Sequence, residues 1–94
     1  MTVRLVDPTL APSHGDQMPT ARPASLDGAV LGLVNNGKAR GREILQRVAD
    51  NIAANHGIRG TILVTKPDSS FSARPEDVEM LAADATAIIA AIGD

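Results

Sequence analysis

The chain has 94 residues, with nine Lys and Arg against eleven Asp and Glu and a net charge of −2. That length allows one small domain, and the scattered cations give no bias toward nucleic acid or a membrane surface. Phe71 is the sole aromatic, which excludes an aromatic platform for stacking bases, and the absence of cysteine excludes a disulfide frame, a thiolate metal site and a thiol nucleophile within these residues.

His14 and His56 lie far apart and neither belongs to a ligand-spaced cluster, so no metal site is expected and no cofactor is implied. The N-terminus lacks a basic region followed by a long apolar run, and no apolar stretch approaches membrane-spanning length. A cytoplasmic protein is the expectation. Its core must come from Ala, Ile, Leu and Val, with a small stability margin unless a partner adds to it.

Residues 1–28 read as an extended N-terminal arm. Pro8, Pro12, Pro19 and Pro23 each fix φ and remove a donor, and the polar run Ser13 to Gln17 has no periodicity. Thr2 to Val6 alternates enough for a short edge strand. Leu5, Val6, Leu10 and Met18 give the arm some apolar content, so it reads either as a flexible tail or as a strap along a partner.

Residues 29–94 form the α/β portion. The apolar run Ala29 to Val34 reads as a buried strand feeding a turn at Asn36-Gly37, where positive φ is tolerated. Lys38 follows near the start of a helix, whose free N–H groups and dipole favour an anion. The spacing matches neither GxGxxG nor GxxxxGK[ST], so no nucleotide motif is supported. Asn-Gly is also a common plain connection, and a lysine beside it also reads as a solvated charge.

From Arg40 to about Asn55, Ile44, Leu45, Val48 and Ile52 recur at helical steps and predict one apolar stripe. Gly57 is the expected left-handed stop. Thr61 to Thr65 is a β-branched second strand, ending at Lys66-Pro67-Asp68. Pro75 suits the first turn of a second helix, with Glu76 and Asp77 at its positive end and Val78, Leu81, Ala82 and Ala85 as its buried stripe. Thr86 to Ile92 predicts a third strand, apolar enough to be covered on both faces.

Strand, helix, strand, helix, strand is half of a doubly wound parallel sheet with three layers. Parallel strands bring their C-terminal ends to one edge, where open sheets bind ligands. The candidate binding residues are therefore Asn35, Asn36, Gly37, Lys38, Lys66, Gly93 and Asp94, offering amides, two cations and a carboxylate to a small anion. Charged residues at strand ends are also commonly just solvated. The apolar third strand, with little sequence after it, predicts either a companion chain or second copy covering it, or a longer protein of which this is the first part.

Asp7-Pro8-Thr9, Arg22 to Gly28, Leu31-Gly32-Leu33 with Asn36-Gly37-Lys38, and Ile92-Gly93-Asp94 together resemble the UGSC family, in order and over nearly the whole chain. In that family the Gly-Asp pair is followed by selenocysteine or cysteine and then Gly-Ser-Cys. The resemblance thus puts the redox-active group directly after Asp94. Two expectations arise: a selenocysteine codon, ordinarily read as stop, shortens the written sequence, or the chain is a short subunit completed by another. Under either, Gly93 and Asp94 approach the active edge, and Lys38 helps stabilise a chalcogen anion at the next position.

The resemblance implies part of a thiol- or selenol-dependent enzyme, with no catalytic residue of its own in these residues. A non-catalytic scaffolding subunit that completes a partner's sheet is the alternative. A hydratase- or lyase-like heteromeric enzyme using Lys38, Lys66 or Asp94 is another, although no nucleophile–base pair within the chain argues for it.

Overall fold

The computed structural model describes residues 19–93. The strand expected over Thr2–Val6, His14 and Asp94 lie outside the described residues, as does most of the arm. Five elements follow in order: β1 (Val30–Asn35), α1 (Gly41–Asn55), β2 (Gly60–Thr65), α2 (Pro75–Asp84) and β3 (Ala87–Ala91). All three strands are parallel, in the order β2-β1-β3. The architecture is the expected βαβαβ α/β arrangement. Among the described residues no helix is long and apolar enough to cross a membrane.

Alternation along the strands assigns the two faces. Leu31 and Leu33 point to the side where Leu45 and Ala49 of α1 complete the buried core, with Leu63 of β2 and Ala87 and Ile89 of β3 packed around it. Gly32 points the other way. A Cβ there would lie 2.8 Å from Leu81 Cδ2 and 3.2 Å from Ala85 Cβ, so α2 crosses the opposite face, against β1, where a glycine permits close approach. The sheet is thus a middle layer with one helix on each side.

Several local expectations change. On α1 the buried line is Gly41, Leu45 and Ala49, with Ile52 packed beside it, while Ile44 and Val48 are exposed. Small Ala49 takes the core position because the helix lies close to the sheet, which turns the larger Ile44 and Val48 to its flank. Gly57 does not adopt the left-handed conformation; the helix ends instead on His56 in extended geometry, with its N–H donating to Ile52 O at 2.9 Å. Gly57 serves as a tie instead. Its N–H donates to Asp27 Oδ1 and its carbonyl accepts from Gly28 N, joining the lead-in of β1 to the α1–β2 loop.

On α2, Pro75 occupies the first turn as expected, but only Leu81 of the expected stripe is buried. Val78 remains 51% exposed. The third strand is shorter than expected and lies at an edge of the sheet. Among the described residues it is covered mainly on one face: Ala87, Ile89 and Ala91 are partly buried, whereas Ile88 is 54% exposed.

Candidate functional site

The strand order puts a reversal in the direction of winding between β1 and β3. The connection leaving β1 travels to β2 on one side, and the connection leaving β2 returns across to β3 on the other. At the C-terminal ends of such strands the flanking loops diverge and leave a crevice. A cleft of about 430 Å³ lies there. Val34, Ala90 and Ile92 give it apolar surface, Asn36 and Lys66 supply its polar groups, and Ala91 and Gly93 complete the lining.

One residue past the ladder makes the site. Backbone pairing continues beyond the strands, with Asn36 N donating to Ala91 O at 2.7 Å and Lys66 N donating to Asn35 O at 2.9 Å. These bonds fix the Asn36 side chain between its neighbours. Its Nδ2 donates to Ile92 O at 2.9 Å, and its Oδ1 accepts from Lys66 Nζ at 2.6 Å. A single amide therefore spans the tip of β1, from the end of β3 to the end of β2. The ammonium also donates to Ser69 O at 3.3 Å, which ties it to its own loop.

Next in that loop, the Asp68 carboxylate accepts from Ser70 N at 2.9 Å and from Ser70 Oγ at 2.8 Å. The backbone N–H of Ser70, then its hydroxyl, and to a lesser degree the Lys66 charge hold the Asp68 carboxyl below its ordinary range, against a small opposing effect of desolvation. Asp68 is thus an internal brace for the loop that carries Lys66.

Strand parity sorts the expected residues. Counting from Val34, Asn36 falls on the α2 face, and the register pairing Val34 with both Val64 and Ala90 puts Lys66 and Ile92 in the corresponding positions. Asn36, Lys66 and Gly93 come together in the cleft. Asn35 belongs to the other face: it is buried, its Oδ1 accepts from Gly37 N at 3.0 Å, and a Cβ on Gly41 would lie 2.7 Å from that oxygen. It holds the turn and the start of α1 together.

Gly37 takes the positive φ the turn requires, at 94°, and packs against the backbone of the Lys66–Ser69 loop. Lys38 is half-buried, with its carbonyl accepting from Gly41 N at 3.1 Å, and is not among the residues lining the cleft. Asp94 lies outside the described residues. The contributions missed in the sequence are Val34, Ala90, Ala91 and Ile92. Two-residue periodicity from Asn36 is a signal for Val34; Ala90 and Ile92 follow only from the register of β3 against β1.

Among the described lining residues there is no Ser, His, Asp or Glu. The cleft presents an ammonium and a side-chain amide beside apolar surface, and its described lining residues include no general acid–base pair. Comparisons with curated proteins and with solved structures find no match for this chain. The UGSC family model matches residues 4–94, essentially the whole chain, and on that coverage the protein belongs to the UGSC family.

Proposed function

We propose that this chain is the α/β part of a thiol- or selenol-dependent enzyme, contributing a small-anion site at the strand ends and no catalytic group of its own among the described residues. The observation that carries the reading is the Lys66–Asn36–Ile92 chain of hydrogen bonds, which fixes an ammonium beside the residues that lead into Gly93. In the family's pattern a chalcogen follows the Gly-Asp pair, so its substrate would lie at the mouth of this cleft. An ammonium held there stabilises a bound anion and favours the ionised form of a neighbouring thiol or selenol. Lys38, on the connection leaving the same end of β1, adds positive charge to that end of the sheet.

The test is Lys66→Gln in the complete protein or complex. Affinity for small anions, read with acetate and inorganic phosphate, falls at least tenfold and turnover falls with it, while the thermal midpoint stays within a few degrees. Unchanged affinity and turnover contradict the reading.

A second reading, a subunit that completes a partner's sheet, draws on the edge position of β3. That strand carries no charge, proline or bulge to discourage pairing, and Ile88 is exposed. A companion chain or second copy there predicts a native mass well above that of one chain, reduced by Ile88→Lys. A native mass of one chain removes this reading.

A further inference from the structure

We infer that the ligand of the Asn36–Lys66 cleft is a small aliphatic monocarboxylate, gripped by one ammonium N–H and one amide N–H with its hydrocarbon end against Val34, Ala90 and Ile92. The inference rests on the anion-binding reading above and narrows it to one chemical class.

Donor arithmetic defines the polar end. An ammonium has three N–H donors and a side-chain amide has two. Lys66 directs one at Asn36 Oδ1 and one at Ser69 O, which leaves one. Asn36 directs one at Ile92 O, which also leaves one. The two remaining donors belong to side chains bonded to each other through Lys66 Nζ and Asn36 Oδ1 at 2.6 Å, so they sit on one hydrogen-bonded unit. Two adjacent donors, one of them cationic, match the two oxygens and single charge of a carboxylate. A phosphate brings more oxygens and up to two charges, and is usually met by a glycine-rich array of backbone N–H groups or by guanidinium forks. Lys66 is the sole cationic side chain among the described lining residues.

The walls define the other end. Beyond the polar pair, the lining is hydrocarbon from Val34, Ala90 and Ile92. A methylene chain placed there leaves water, which is favourable in proportion to its area. A second carboxylate or a sugar hydroxyl placed there would give up part of its hydration with no polar side chain to replace it. The cleft thereby discriminates between a dicarboxylate and a monocarboxylate of the same length.

Calorimetric titration of the full chain with acetate, propionate, butyrate, succinate and inorganic phosphate tests this. Affinity rises about threefold for each added methylene from acetate to butyrate, butyrate binds more tightly than succinate or phosphate, and Lys66→Gln weakens butyrate at least tenfold. Ala90→Val, a change at an exposed position, narrows the apolar end and weakens butyrate more than acetate. Binding that depends on Lys66 but is flat with chain length, or strongest for phosphate, overturns the monocarboxylate assignment and leaves the anion site standing. Absence of Lys66-dependent binding for every probe overturns both.

Discussion

The two faces of this sheet are finished to different degrees. Beneath α1, Leu31, Leu33, Leu45 and Ala49 are essentially removed from water, and Asn35 is buried with its oxygen bonded to Gly37 N. Beneath α2, Leu81 is the one residue of the helix that is buried, and Val78 and Ile88 remain about half exposed. A closed face supplies cohesion but no room. Among the described residues the α2 face is the more open one, and there the alternation of side chains places Asn36 and Lys66, bonded to each other, at the cleft. Among the described residues, burial is concentrated on the α1 side of one three-stranded layer, and the cleft lies on the less packed α2 side, where ligand sites tend to form.

The largest test of that division is a pair of truncations. Leu45→Ala removes a fully buried side chain from the closed face and is expected to cost about 2–5 kcal/mol. Val78→Ala on the open face is expected to cost under about 1 kcal/mol. Urea unfolding monitored by circular dichroism measures both, with unchanged slopes. Equal losses would mean that α2 is packed as firmly as α1, and the contrast between the faces would be gone.

Glycine replacements probe the same contrast more finely. At Gly41 an added Cβ meets a buried, hydrogen-bonded oxygen of Asn35, and at Gly32 it meets the flexible end of Leu81 as its nearest neighbour. Gly41→Ala is therefore expected to cost about 1–3 kcal/mol and to disturb the amide signals of the Asn35–Arg40 turn. Gly32→Ala is expected to cost less, because a lightly held helix can shift outward. A larger loss at Gly32 would contradict the loose docking of α2.

Smaller effects come from the loops. Arg40 sits in the left-handed region at φ 66° immediately before α1, and no side chain caps that helix start. Arg40→Gly removes the Cβ that makes this conformation costly and is expected to stabilise by about 0.5–1 kcal/mol, read as a rise in the urea midpoint. The pH dependence of the Lys66 loop has a definite sign. Because Asp68 is held below its ordinary range in the folded chain, its bracing is in full force above the unfolded carboxylate value and is lost as pH falls through the lower, folded value. Ser70→Ala removes the side-chain donor and raises the Asp68 titration, observed by carbon NMR of the carboxyl, toward its ordinary range. An unmoved titration would mean that the hydroxyl contributes nothing.

Much of this organisation was legible in the residues. The apolar run ending at Val34 and the β-branched run ending at Thr65, Pro75 at a helix start, and Gly37 in its turn all express local rules that tertiary packing did not override. The order of the strands was not legible. Apolar Thr86 to Ile92 read as a strand covered on both faces, yet Ala87–Ala91 lies at an edge and the central position went to β1, because the second crossover returned past β1 rather than continuing beyond β2. Of the residues expected along one edge of the sheet, Asn36, Lys66 and Gly93 line the cleft, while Asn35 lies on the other face, a division the sequence alone did not show. Asn35 and Asn36 are chemically identical neighbours, and a single step of the pleat sends one into the core turn and the other into the cleft. Sequence chemistry names the groups that can bind; parity and register decide which of them meet.

A butyrate titration of the complete protein, followed by amide and side-chain NMR, probes the separation of cohesion from recognition at residue level. Concerted shifts are expected at the Asn36 side-chain amide, the Lys66 Nζ region and the Ile92 and Gly93 amides, with Leu45, Ala49 and the Gly41 turn unmoved. Shifts confined to the Gly41–Glu43 turn, with the Asn36 side chain silent, would move binding to the start of α1 and contradict the division of labour between the two faces.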